Sequence, residues 1–507
     1  MALALLAGGA LFTSPAQAAA GAAPSGNLTV VTEGSVWPSL DPANPTEVPA
    51  QAMNIPALQP LFYTNSKEKL VPLLATGYKV SANGLTFTIS LRKGVKFQDG
   101  TPFNAAAAAF NLKRYADLNQ DSECVPYLAV VKSIAATGPY TVAITLSQRD
   151  AALMPVLGSL QCGLMVSPTA VQKEGAAFGQ HPVGTGPYEF VSEQQGVQQK
   201  YRYWSGYWGK IAHPLSTITI VNTSSAQDAY NALTSGTAQA WIDMNDPGVA
   251  TQVRLAEKDP ALKLLKGPAP SINYVTMSFK APPFNNLKAR LALLYATNPA
   301  QIVDKLYGGL YKPVEGIFAP SLVQYSGKVK NYPVYNLAKA KALVAQLGGL
   351  SFTLDLSETP GGLAEAEALQ TQWAQAGIKA TLNPLQVPAL IKQLHALNYE
   401  ALLIASPTAL TDPDSAAYRW FYSKSTLSQN GLADPRVDQL VLKGRATYNT
   451  EKRVPIYKQF NRVVAAGLAP WDDVFAVPFF QIESKGVQGW GVFTSEYVPW
   501  NTIHLAS

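Results

Sequence analysis

The chain has 507 residues, enough for two to four domains at roughly 100–200 residues each. Apolar residues make up 47% and charged residues 14%, with 23 Tyr, 18 Phe and 9 Trp, which excludes a disordered chain; 37 Gly without a G-X-Y period exclude a collagen-like one. A formal charge of +6 is too small for a nucleic-acid footprint, so no nucleic-acid partner is expected.

Residues 2–12 (ALALLAGGALF) form an apolar, uncharged run, followed by Thr13-Ser14-Pro15 and Ala16-Gln17-Ala18. This reads as the hydrophobic core and cleavage site of a secretory signal peptide spanning 1–18, cut near Ala18. It lacks a basic start, which suggests a natural beginning upstream of Met1. The run is too short to span a bilayer, and no cysteine follows it to carry a lipid anchor. A periplasmic protein that is not membrane-embedded is expected. Its two cysteines, Cys124 and Cys162, fit one disulfide in an exported chain. Such a bridge would contribute roughly 4 kcal/mol by loop closure; two buried thiols are the alternative.

Leu28–Thr32 (LTVVT) reads as a strand. Tyr78 and Val80 alternate up to Asn83-Gly84, and Phe87, Ile89 and Leu91 alternate away from it, a hairpin signal. Tyr140, Val142, Ile144 and Leu146 form another strand, and Ile218 and Ile220 a further one. The region from Lys280 to Lys341 holds nine Lys or Arg against Asp304 and Glu315, which reads as a solvated basic face or, alternatively, a docking face for an acidic partner. Asn336 is placed to cap a helix with Leu337, Ala340, Leu343, Val344 and Leu347 on one face, stopped by Gly348-Gly349. Phe352, Leu354 and Leu356 then alternate as a strand. Leu363, Ala366, Leu369 and Trp373 recur at helical spacing up to Gly377, and Ile378–Leu382 is strand-like again. Helix and strand in turn imply layered α/β packing.

Local catalytic motifs are missing. His181, His213, His395 and His504 are far apart in sequence, so metal spacings such as H-E-x-x-H fail. No G-x-S-x-G elbow or Walker A loop occurs, and Ser66-Lys67-Glu68-Lys69 matches S-x-x-K without its companion motifs. No metal and no cofactor are expected.

Five stretches in order resemble the family 5 extracellular solute-binding proteins, the dipeptide, oligopeptide and nickel receptors of bacterial ABC importers. They are Leu28–Pro42 (LTVVTEGSVWPSLDP), Leu85–Phe103 (LTFTISLRKGVKFQDGTPF) and His181–Phe190 (HPVGTGPYEF). The fourth is Asn273–Pro320, with Pro282-Pro283-Phe284, Arg290 and Gly309–Pro313. The fifth comprises Asp434–Asp438 and Lys452-Arg453. Gly184-Thr185-Gly186-Pro187 reads as a tightly turned crossing segment. Arg92, Lys93 and Lys96 read as surface charges, and the Arg92–Phe103 block as fold-maintaining.

The resemblance implies an α/β, type II periplasmic-binding-protein-like fold of the cluster C type, with two lobes, a hinge and three domains. Domain I would comprise 19–60, 185–272 and 475–507; domain II, 61–184; domain III, 273–474. It further implies a receptor, not an enzyme, that is monomeric, holds a small-molecule or peptide ligand between the lobes and delivers it to ABC permease subunits.

Three departures stand out. Peptide receptors of the family carry W-x-x-D shortly before D-P or E-P, and that Asp grips the ligand's α-ammonium, since a buried cation needs a partner. Counting back from Asp412-Pro413, this chain has Ser406 and Ala409 there, although Asp412 itself could serve if the register shifts. Ala105–Ala109 stands where the family often reads A-x-D-V, and Gln239 where it often carries Asp. The nominated ligand-lining residues are Glu33, Trp37, Trp241, Asp243, Asn245, Tyr274, Asp412 and the cluster Trp420, Phe421, Tyr422. Flat aromatics give contact area and carboxylates fix polar ends. The solute would be peptide-like, opine-like, sugar-like or a metal chelate. The alternative in another class is a secreted α/β hydrolase with a non-local site.

Overall fold

The computed structural model describes residues 23–506 except 34–38, 44–55, 66–68, 118–123, 224, 245–248, 268, 270, 323–324, 326, 406–411 and 492–496. The signal-peptide segment lies outside the described residues.

Two large sheets organise the chain. The first has seven strands, in the order Tyr188–Gln194, Gln198–Tyr203, Thr217–Thr223, Asn27–Glu33, Ala240–Met244, Phe480–Ser484 and Leu262–Lys266. The expected strand around Leu28–Thr32 runs parallel to both its neighbours. Its side chains are buried on both faces: Leu28 and Val30 in one core cluster, Val31 in another. That is the burial a central parallel strand requires, and why LTVVT reads as a continuous apolar run. The second sheet has five strands, in the order Ile378–Leu385, Leu350–Ser357, Ala401–Ala405, Ser271–Met277 and Trp471–Val477. The Leu337–Gln346 helix that precedes it is capped as expected: Asn336 accepts the Lys339 amide at 3.0 Å. Gly348 and Gly349 follow at positive φ.

Between Pro60 and the Gly184 segment the chain builds a separate four-stranded antiparallel sheet, ordered Ala75–Val80, Thr86–Leu91, Thr141–Leu146 and Val131–Gly138. The Asn83-Gly84 hairpin is present, pairing Val80 with Phe87; its loop is longer than two residues, with Gly84 at φ +74° and Asn83 Oδ1 accepting the Leu85 amide. The Ala105–Ala116 helix covers this sheet, and the Asn104 cap makes up for the missing acidic first turn. Cys124 and Cys162 are joined in this domain's core.

The chain passes between the two large sheets at 267–270 and again at 478–479, because Ser271–Met277 and Trp471–Val477 both belong to the second sheet. These crossings fall a few residues outside the expected 273 and 474. Two lobes therefore exist: the first sheet with the inserted domain, and the second sheet with its helices.

The segment that returns the chain from the inserted domain is packed backbone against backbone. Gly186 N–H donates to Ala57 O at 2.8 Å, and a Cβ on Gly186 would lie 2.1 Å from Pro56 O. A Cβ on Gly184 would lie 2.2 Å from Ala57 O. Gln98 ties the same junction from the other side: its backbone N–H reaches Gly184 O at 2.9 Å, and its side-chain amide donates to Gly186 O at 3.1 Å and Tyr188 O at 3.2 Å. Arg92 is not a simple surface charge. It is half-buried, donates to Leu73 O at 3.1 Å and lies 4.5 Å from the Trp208 ring centroid. Gly186→Ala must displace the backbone at Pro56–Ala57, so it should cost about 1–3 kcal/mol, read as a lower urea midpoint with secondary structure retained.

Candidate functional site

The parallel strands fix where a ligand can meet both lobes. In the first sheet, Asn27–Glu33, Thr217–Thr223 and Ala240–Met244 end on one edge, with Glu33 paired to Thr223. The antiparallel partner Phe480–Ser484 begins at that edge, since Phe480 pairs with Met244 and with Lys266. In the second sheet, Leu350–Ser357, Ile378–Leu385 and Ala401–Ala405 are parallel, and Ala405 pairs with Asn273 near the start of Ser271–Met277. Both crossings thus join the carboxyl-end edge of one sheet to that of the other. In open α/β sheets, ligands bind outside the carboxyl ends of strands where the strand order turns. Here the Asn27–Glu33 strand is that turning point, with later strands on both sides. The candidate site is the cleft where these two edges meet.

The nominated residues divide sharply against this frame. Glu33 ends its strand at the edge, and Asp243 lies one residue from the end of Ala240–Met244. Trp37 and Asn245 lie outside the described residues, as do Ser406 and Ala409. Trp241 is a correction. It is fully buried in the apolar cluster with Ala229, Leu233 and Val253, so it offers no surface to a solute in this conformation. Tyr274 is a second one: fully buried, stacked on Trp471 at 3.7 Å between centroids, and donating its hydroxyl to Gln429 Oε1 at 2.7 Å. Trp420 and Phe421 pack on the same Trp471, at 5.3 and 5.1 Å, and belong to the core of the second lobe. Tyr422 is the partly exposed member, stacked on Tyr418 at 5.0 Å.

Asp412 is the clearest correction. It is the N-cap of the Pro413–Phe421 helix, accepting the Asp414 amide at 2.9 Å. Both its oxygens also take the Arg453 guanidinium, one of them at 2.7 Å, and the residue is buried. The carboxylate's charge is thus already matched by a guanidinium, and three hydrogen bonds occupy most of its acceptor sites. Gln239 is likewise structural: its Oε1 accepts the Thr29 amide at 2.8 Å. Sequence reading missed the buried polar atoms Thr32 Oγ1 and Gln481 Oε1, which lack hydrogen-bond partners in the structure. Among the described residues no three His, Cys, Asp or Glu side chains gather to hold a metal ion, and no helix is long and apolar enough to cross a membrane.

Two α/β lobes joined by two strand crossings, with facing carboxyl-end edges, define a two-lobe binding protein. Residues 69–428, more than half the chain, match the family described as bacterial extracellular solute-binding proteins, family 5. The chain belongs to this family. It is 29% identical to the glutathione-binding protein GsiB of Escherichia coli O1:K1 / APEC over 476 residues, covering 91% of each chain. It is 30% identical to GsiB of Salmonella choleraesuis (strain SC-B67) over 479 residues, again covering 91% of each. In fold it is similar to the binding protein AgaA from A. tumefacien R10, solved in complex with agropinic acid, with a TM-score of 0.83, 24% identity, and 95% and 99% of the two chains covered. It is also similar to DppA from Helicobacter pylori in complex with the peptide STSA, with a TM-score of 0.82, 22% identity, and 95% and 98% covered. The matches are to solute-binding proteins, and the hydrolase alternative finds no support in them.

The account of Asp412 is checked without any ligand. Asp412→Ala removes a helix cap and leaves Arg453 buried without its partner, so it should destabilise the second lobe by about 3–5 kcal/mol. Chemical denaturation of the ligand-free protein should show this loss; an unchanged midpoint would return Asp412 to the candidate ligand contacts.

Proposed function

We propose that the chain is the periplasmic receptor of an ABC importer and carries a small polar solute of the peptide or opine kind to the permease. The observation that carries this reading is the junction of the two sheet edges, which lets one small molecule touch both lobes at once. Relatives named for glutathione support a peptide-like solute, and a neighbour in fold solved with an opine supports a related class. The protein acts as a monomer, exported after cleavage near Ala18. Its three domains follow the scheme read from the sequence, with the boundaries of the third moved to the crossings.

Binding and transport need no bond to break. A solute that bridges the lobes contacts the second one only when they are closed, so its binding energy shifts the population from open to closed. Taking that equilibrium from 1:99 to 99:1 needs roughly 5.5 kcal/mol of differential affinity. The permease then selects the closed shape.

The grip on the solute differs from that of a dipeptide receptor. Alanine stands at position 409 and Asp412 is committed to Arg453, so neither supplies a carboxylate for an α-ammonium. Glu33, Asp243 and Tyr422 remain as contacts for polar ends and a flat face.

Isothermal titration calorimetry tests the class directly. Glutathione or an opine acid should bind at roughly micromolar Kd or tighter, and the solute should be recovered unaltered. A simple dipeptide such as Met-Leu should bind at least tenfold more weakly. Tight dipeptide binding, or conversion of any bound solute to product, would contradict this assignment.

A further inference from the structure

Two histidines meet at the edge of the first sheet opposite to the cleft. Asn27 opens the central strand beside Thr217, and Ser25 N–H donates to Pro214 O at 2.9 Å, so His213 lies at the amino end of the parallel strands. His504 reaches the same place from the end of the chain. His504 and Leu505 pair with Gln488 and Val487, and a Cβ on Gly26 would lie 3.2 Å from Leu505 Cδ1. The rings of His213 and His504 are 5.1 Å apart between centroids, with their planes inclined at 35°. His213 is exposed and His504 partly exposed.

Both side chains stand on anchored backbone. Pro214 and Leu215 follow His213; both are buried, and Leu215 N–H donates to the Tyr188 hydroxyl at 3.1 Å. Beside His504, Ile503 is fully buried. Thr502 O approaches Gly489, at φ +73°, so closely that a Cβ there would lie 1.9 Å from it. The same carbonyl lies 3.1 Å from His504 Nδ1. A carbonyl only accepts, so Nδ1 carries the proton, and in the neutral ring the lone pair of His504 is on Nε2. A backbone carbonyl on the second ring nitrogen is the support that metal-ligating histidines use to fix their tautomer and direction.

The spacing fits a shared ion. A metal roughly 2.0–2.1 Å from each ligating nitrogen stands about 3 Å from each ring centre, which puts two neighbouring imidazoles of one ion about 4.5–5 Å apart between centres. The observed separation of 5.1 Å is of that size. The exposed His213 ring has no hydrogen bond among the described residues, so it can turn a nitrogen towards the ion at little cost. We propose that His213 and His504 form a two-histidine site for a divalent late first-row transition-metal ion, the class that imidazole ligands suit. No third His, Cys, Asp or Glu joins them among the described residues, so water fills the remaining positions and the ion stays exchangeable. The bound ion ties the Val487–Gln488 and His504–Leu505 pair to the segment that leads into Thr217–Thr223, and it stabilises the first lobe by mass action. The site is separate from the solute cleft and does not depend on the receptor reading.

Cu2+ is the probe of choice, because it binds nitrogen sites most tightly in the divalent series and reports its ligands by electron paramagnetic resonance. Untagged protein without added solute, in a neutral non-coordinating buffer, should take up one equivalent whose pulsed spectrum shows two coupled imidazoles, and its melting temperature should rise with Cu2+. His213→Ala and His504→Ala should each weaken that uptake roughly tenfold or more. His181→Ala, at the exposed histidine 3.7 Å from Glu174, should leave it unchanged. Glutathione binding, measured without metal, should be the same in the His213→Ala variant as in the parent. His213 is exposed, so its replacement removes no core packing and decides the case even where His504→Ala disturbs the terminal strand pair. No uptake, uptake with one imidazole or none, or uptake unaffected by His213→Ala would overturn the proposal.

Discussion

The structure depends on one constraint: the polypeptide passes between its two large sheets twice, at 267–270 and 478–479. Everything else that holds the lobes together is non-covalent and can be exchanged for water. Near the crossings the exchange is resisted by Tyr311 of the second lobe, whose ring centroid lies 6.2 Å from that of Phe480 in the first sheet, and by Arg254 donating to Tyr307 O at 2.9 Å. Far from them it rests on a buried ion pair between Asp150 of the inserted domain and Arg445 of the second lobe.

The same constraint explains why the core residues and the candidate contacts separate as they do. A strand end at the cleft must anchor its own lobe first. Trp241 does so among the helices of the first lobe, while Tyr274, Trp420 and Phe421 do so around Trp471 in the second. Rigid lobes are what allow a small solute to change the distance between them. The aromatic residues Tyr274, Trp420 and Phe421 therefore stiffen the second lobe around Trp471.

Much of the fold was legible because its signals are local. LTVVT declares a strand, Asn336 declares a cap, and Asn83-Gly84 declares a turn. The Gly184–Pro187 segment was legible as a crossing because a close backbone approach demands glycine. The site was much less so. An aromatic residue near a strand end has the same neighbours in sequence whether it lines a cleft or fills a core, which is why the sequence does not reveal that Trp241 and Tyr274 are fully buried. Asp412 looked available because nothing near it in sequence reveals Arg453 waiting 41 residues later. Asp150 and Arg445 are 295 residues apart, and Gln98 reaches a junction 86 residues away; no periodicity links such partners. Their pairing exists only once the fold has been built.

The central claim is that two rigid bodies change their separation and little else. Double electron–electron resonance measures this most directly, with one spin-label pair inside the first lobe (Lys79→Cys with Lys200→Cys) and one across the lobes (Lys200→Cys with Lys392→Cys), all at exposed positions. On saturation with solute, the distance across the lobes should shorten and sharpen while the distance within the first lobe stays constant. A change of similar size in both pairs, or no change across the lobes when calorimetry shows tight binding, would contradict the account.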